Sequence, residues 1–213
     1  MKKSANPKTG KILKKLAMLY PDANCALEHH NPFELLTSTI LSAQCTDARV
    51  NMVTPALFKK YPTPEKMSKA PVEKLEELIR TTGFFRSKAK SLHEMSKSLV
   101  EKFGGKVPST MDDLIQLRGV GRKTANVVLG NAFGKNIGVV VDTHVGRLSR
   151  RFYFTKHMDP VKVEQDLMKI VPQEHWTAIS HEMILHGRAI CRAQNPKCHS
   201  CQLADVCPSF PLT

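Results

Sequence analysis

Residues 117–128 read LRGVGRKTANVV, and this stretch decides how the whole chain is read. Gly119 and Gly121 bracket a single valine, Val120, and apolar residues at helical spacing resume directly behind them. Glycine permits backbone angles closed to other residues and leaves its N–H open to close approach. With a short helix before the turn and a longer one after it, residues 111–133 form helix, hairpin, helix. Successive amides at a helix N-terminus make an anion site, suited to a phosphate. Arg122, Lys123 and Thr124 directly follow the glycines. Lys123 is misplaced for stability alone, because a cation there sits at the positive end of the helix dipole.

Outward from the hairpin the chain is helical. Asn6-Pro7, Asn31-Pro32, Thr63-Pro64, Ala70-Pro71 and Asp159-Pro160 each put proline where a first helical residue belongs, mostly after a capping side chain. Asn31 with Glu34 resembles a capping box. Apolar residues then recur at helical spacing, as in Phe33, Leu36, Ile40 and Leu41, or Leu92, Met95, Leu99 and Val100. Gly104-Gly105 ends one of these helices, residues 112–117 form a short one, and Pro55 is expected to kink or split a helix over 47–60. Residues 137–142, IGVVVD, look like a buried strand, but no second run could pair with it. They read as extended linker, and the fold class as all-α.

Charge narrows the function. Lys and Arg number 32 against 19 Asp and Glu, a formal net charge of +13. Such an excess favours a polyanionic partner, since each phosphate neutralised releases a counterion. Lysines interrupt any leader-like apolar stretch in the first 20 residues, and no apolar run approaches the roughly 18 residues that span a bilayer. A soluble, cytoplasmic protein with no membrane partner, acting as a monomer, is expected. Of six cysteines, Cys25 and Cys45 are isolated and read as small buried hydrophobes. Cys191, Cys198, Cys201 and Cys207 follow C-x6-C-x2-C-x5-C, which in a reducing cell is a metal site. Four thiolates accept either tetrahedral zinc or a [4Fe-4S] cluster, and ligand chemistry alone does not separate them.

Four stretches together carry a resemblance. LRGVGRKTANVV, then VVVDTHVGRLSRR (139–151) and HGRAICRAQNPKCHSCQLADVC (186–207), with NPFELLTSTILSAQCTD (31–47) upstream, closely resemble the endonuclease III family of DNA glycosylases. The similarity runs from about residue 32 to residue 207. It implies two helical lobes: a six-helix barrel over 22–136 carrying the hairpin, and an iron–sulfur domain built from 1–21 plus 137–213, with a DNA cleft between them. It also implies that the cysteine loop 191–207 holds a [4Fe-4S] cluster.

The resemblance accounts for the odd lysine. The family's lysine at the position of Lys123 attacks C1′ of a damaged nucleotide, forms a Schiff base and cuts the strand on the 3′ side by β-elimination. Arg122, the helix N-terminus and partial burial would each disfavour the ammonium and so favour attack. Asp142 matches the catalytic aspartate, stabilising oxocarbenium-like charge as the base leaves; its plainer role is an N-cap for the helix starting near Thr143. Gln44 stands where the family's glutamine fills the hole left by a flipped base. Phe84 stands where relatives commonly carry leucine, as a second wedge or as core. Further DNA contacts are expected from Gly119, Val120, Gly121, Arg122, Thr124, His144, Arg147, Arg188, Arg192 and Lys197. Arg118 replaces a usual proline, loosening the turn and adding a charge beside the DNA backbone. The implied activity is a bifunctional glycosylase/AP lyase that removes oxidised pyrimidines from double-stranded DNA and cleaves abasic sites. An adenine-specific mismatch glycosylase of the same superfamily and a non-catalytic DNA-binding module stay open beside it.

Overall fold

The computed structural model describes residues 7–212, and among these every regular element is helical. They divide into two compact units, one formed by Cys25–Lys135 and the other by Met1–Asn24 with Asn136–Thr213.

In the Cys25–Lys135 unit, local capping sets most helix starts. The Asn31 side chain accepts the Glu34 amide at 2.9 Å and Pro32 opens the helix Pro32–Leu41. Glu34 completes the box one residue further back than expected, accepting from the His30 amide at 2.7 Å. Thr46, Thr63 and Thr110 likewise cap Asp47–Lys60, Pro64–Ser68 and Met111–Leu114. Pro71 departs from the pattern. It is itself the cap, with no side-chain hydrogen bond, and the helix Val72–Ile79 starts one residue later, because Ala70 offers no acceptor. Pro55 does not split Asp47–Lys60, which runs through it as one helix. The long helix Phe85–Phe103 ends at Gly104 in the left-handed region (φ 58°), whose amide bonds back to the Leu99 carbonyl. The helix Arg122–Phe133 completes the unit. Pro32–Leu41 is buried along nearly its whole length and packs on Arg122–Phe133 and Phe85–Phe103. Leu36, Leu92, Met95, Leu99 and Leu129 fill the core. Cys25 and Cys45 only flank this core, half-buried.

The second unit contains Pro7–Leu19, Thr143–Arg151, Pro160–Ile170 and Trp176–Ala189. The expected cap at Asn6 lies outside the described residues. Residues 137–142 form no strand and bend at Gly138, with Val139 and Val140 buried and the Val140 amide bonded to the Ser180 hydroxyl at 3.1 Å. Ile12 and Leu16 from the first helix, with Leu148, Phe152, Trp176, Ile179 and Met183, make the second core. From here the helices are α1 (Pro7–Leu19), α2 (Pro32–Leu41), α3 (Asp47–Lys60), α4 (Pro64–Ser68), α5 (Val72–Ile79), α6 (Phe85–Phe103), α7 (Met111–Leu114), α8 (Arg122–Phe133), α9 (Thr143–Arg151), α10 (Pro160–Ile170) and α11 (Trp176–Ala189).

Candidate active site and nucleic-acid interface

The hairpin between α7 and α8 is built by close approach. Gly119 adopts φ +81°, and a side chain there would meet Ser91 Cβ at 3.2 Å and Ile40 Cγ2 at 3.5 Å. Both glycine properties are therefore used at this position. Val120 bends back so that its amide reaches the Leu117 carbonyl at 3.1 Å. Its side chain is buried in the core, so the contact expected of Val120 is restricted to its backbone. Gly121 is the N-cap of α8 with no side-chain hydrogen bond, and the helical bonding starts with the Ala125 amide on the Gly121 carbonyl. The amides of Lys123 and Thr124 consequently have no intrahelical acceptor. Lys123 is exposed, which corrects the expectation that it is partly buried. Arg118, expected to loosen the turn, instead ties the hairpin to α6: its guanidinium donates to Glu94 at 2.8 Å.

Beside the hairpin, Gln44, Phe84, Lys88, Ser91 and Gly119 line one surface pocket. Phe84 is 67% exposed, so it is not core. It caps α6 in the left-handed region (φ 47°), and Gln44 is left-handed as well (φ 51°) and exposed. Left-handed backbone costs a residue with a Cβ roughly 1 kcal/mol or more, so the surroundings must impose it at both positions.

Asp142 caps α9, accepting the Val145 amide at 2.8 Å, as its plainer reading anticipated. One turn on, His144 and Arg147 face α11 at Gly187, where an added Cβ would come within 3.1 Å of both. Arg147 donates to the carbonyls of Gly187 (2.9 Å) and Cys191 (3.0 Å). Burial, reinforced by the charges of Arg147 and Arg188, lowers the His144 pKa against the opposing pull of Asp142. The geometry makes Arg147 a brace between helix and loop. Arg188, Arg192 and Lys197, by contrast, are all exposed.

Arg151, absent from the expected set, does more than its neighbours. It donates to the carbonyls of Cys191 (3.2 Å), Arg192 (2.7 Å) and Ala193 (3.2 Å) and to Cys191 Sγ at 3.2 Å. Its spacing of four from Arg147, which puts both on one helix face, was the available signal. All four thiols of Cys191, Cys198, Cys201 and Cys207 are free of disulfides and line one small pocket together with Phe152, His186 and Ile190. Among the described residues no three His, Cys, Asp or Glu side chains gather around a single-ion position. The Leu203 amide points at Cys201 Sγ (3.4 Å), and the Arg151 donor at Cys191 Sγ is charge-assisted, as suits thiolate ligands. His186, which burial lowers to about 4, is neutral at ordinary pH and adds no charge beside Cys201 (3.7 Å). Burial also raises the Cys201 and Cys207 thiols, so ligation there is coupled to proton release. The residues fit an iron–sulfur cluster.

Residues 37–173 match the model of the HhH-GPD superfamily base excision DNA repair proteins, and residues 191–207 match that of the iron–sulfur binding domain of endonuclease III. Endonuclease III of Synechocystis sp. is 52% identical over 97% of this chain and 94% of its own. Two solved structures superpose with a TM-score of 0.90 at 47% identity, covering 96% of this chain and 97% of theirs. One is a trapped endonuclease III–DNA covalent intermediate with an estranged adenine, and the other a non-covalent endonuclease III–DNA complex. With the cysteine loop matched to the iron–sulfur model, the cofactor is a [4Fe-4S] cluster. Likeness of this extent, running through hairpin, cap and cysteine loop alike, makes the chain an enzyme of DNA repair, a member of the endonuclease III family within the HhH-GPD superfamily.

Proposed function

We propose that Lys123 and Asp142 carry out the glycosylase/AP lyase activity of this family, on duplex DNA containing oxidised pyrimidines. Nζ of Lys123 forms a bond to C1′ as the glycosidic bond breaks, and the base leaves with the bonding electrons. The sugar ring then opens to an iminium, which acidifies the C2′ proton. Loss of that proton expels the 3′ phosphate and cuts the strand. Asp142 stabilises positive charge at C1′ and moves protons between amine and leaving base. The observation that carries this reading is the exposed Lys123 in the first turn of α8, directly behind amides that suit a phosphate.

Around this chemistry, Gly119, Gly121, Arg122 and Thr124 hold the backbone at the hairpin, and Arg188, Arg192 and Lys197 hold it near the cysteine loop. His144 and Arg147 set the loop in place from α9. The Cys25–Lys135 unit is the barrel domain, and the unit containing the tail is the cluster domain. Cys191, Cys198, Cys201 and Cys207 are the cluster ligands, and the cluster supplies structure to the loop. Purified protein is expected to be yellow-brown with about four irons per chain. Cys198→Ser should lose iron and solubility; stoichiometric zinc without visible absorbance would contradict the assignment.

Gln44 and Phe84 are the side chains that occupy the stack after base extrusion. Excision of a base-paired lesion requires them, because flipping costs a few kcal/mol of unstacking. An abasic site has no base to extrude. Gln44→Ala and Phe84→Ala should each slow excision from a base-paired lesion about tenfold or more, with cleavage of a ready-made abasic site changed less than about threefold. Equal loss on both substrates would remove the wedge role from that residue.

A further inference from the structure

Lys88 lies in α6, is 6% exposed, and has no part in the chemistry above. Its ammonium donates to the Leu41 carbonyl at 2.8 Å and to the Thr82 carbonyl at 2.6 Å. Leu41 is the last residue of α2, where carbonyls lack intrahelical donors and a cation meets the negative end of the dipole. Thr82 ends a 3-10 turn over Arg80–Thr82, with its own hydroxyl bonded to the Ile79 carbonyl at 2.8 Å. The backbone of Lys88 adds a third tie, its amide donating to the Phe84 carbonyl at 3.0 Å.

Two loops leave from the two clamped carbonyls. Three residues past Leu41 the chain reaches Gln44, and two residues past Thr82 it reaches Phe84, each left-handed and exposed. Between them the loops approach closely, for a Cβ on Gly83 would lie 3.9 Å from the Gln44 carbonyl. A buried cation left without acceptors is costly, so Lys88 holds its partners wherever the fold allows. Losing the ammonium would leave two buried carbonyls unpaired and the loop origins free to part.

We propose that Lys88 is a positioning residue whose single ammonium joins the ends of α2 and the 3-10 turn, so that Gln44 and Phe84 are presented together to the base stack. This rests on the wedge reading of those two residues. Lys88 touches neither DNA nor reacting atoms in this role. It acts through the backbone of both loops.

The test uses the full chain with its cluster. Lys88→Met keeps the apolar stem and removes the donors; Lys88→Arg keeps a cation but replaces the compact point donor with a longer planar fork. Each is assayed on a duplex with a base-paired oxidised pyrimidine and on one with a preformed abasic site, alone and combined with Gln44→Ala plus Phe84→Ala. Extrusion is followed by fluorescence of 2-aminopurine beside the lesion. Lys88→Met should lower the ratio of excision to abasic cleavage about tenfold, with a matching loss of the fluorescence rise. Lys88→Arg should lower it by a smaller factor, about threefold, and decides the matter if the Met variant does not fold. Neither should lower the ratio further once Gln44 and Phe84 are already alanine. An unchanged ratio, or a full additional loss in the double-alanine background, overturns the role of Lys88. If instead the alanine variants themselves leave the ratio unchanged, the wedge reading is what fails.

Discussion

Lys123→Gln is expected to abolish both strand cleavage and borohydride trapping of the protein on damaged duplex. Glutamine keeps much of the length and polarity of lysine but has no nucleophilic amine, so no Schiff base exists to be reduced. Binding should persist, since the hairpin amides and the basic surface are untouched. Stability supplies an independent signature. Lys123 sits in the first turn of α8, where a cation opposes the helix dipole. Its removal should therefore leave the melting temperature unchanged or raise it, by an amount equivalent to about 0.5 kcal/mol. A variant that is inactive and less stable would indicate damage to the hairpin instead of loss of a nucleophile.

Asp142→Asn should slow base excision by two or more orders of magnitude while sparing binding and fold. The separation is possible because Asp142 has two functions that asparagine divides. Asparagine caps a helix about as well as aspartate, so the bond from the Val145 amide to residue 142 survives. The carboxylate charge near C1′ does not, and preorganised charge of this kind contributes several kcal/mol to a transition state. Asp142→Ala removes both and should additionally lose about 1 kcal/mol of stability. Melting temperature and single-turnover excision rates on the two variants separate the cap from the chemistry. Full activity in Asp142→Asn would leave the residue as a cap alone.

The features visible in the sequence are those whose physics is local. Prolines behind capping side chains announced α2, α4 and α10, and the cap itself lies three residues from the amide it binds. Pro71 misled because proline alone, without an acceptor before it, does not set a helix start. The glycine hairpin was legible from its own backbone demands, though the close neighbours of Gly119, Ser91 and Ile40, come from distant helices. Phe84 could not be placed, since an apolar side chain before a helix suits core or surface equally, and only the fold left it 67% exposed. Val120 went the other way and is buried. The contacts of Arg118 with Glu94, Arg151 with residues 191–193, and Lys88 with Leu41 span 24 to 47 residues. Nothing local marks a lysine or arginine that will bind carbonyls so far along the chain, because an exposed partner for DNA and a buried brace share the same residue types.

The most direct test maps the covalent bond itself. Wild-type protein is trapped on an oxidised-pyrimidine duplex with borohydride, digested with nuclease and protease, and the modified residue identified by mass spectrometry. The sugar remnant is expected on Nζ of Lys123, at the head of α8. A remnant carried instead by any other lysine or by the N-terminal amine would place the nucleophile elsewhere and contradict the account of the hairpin.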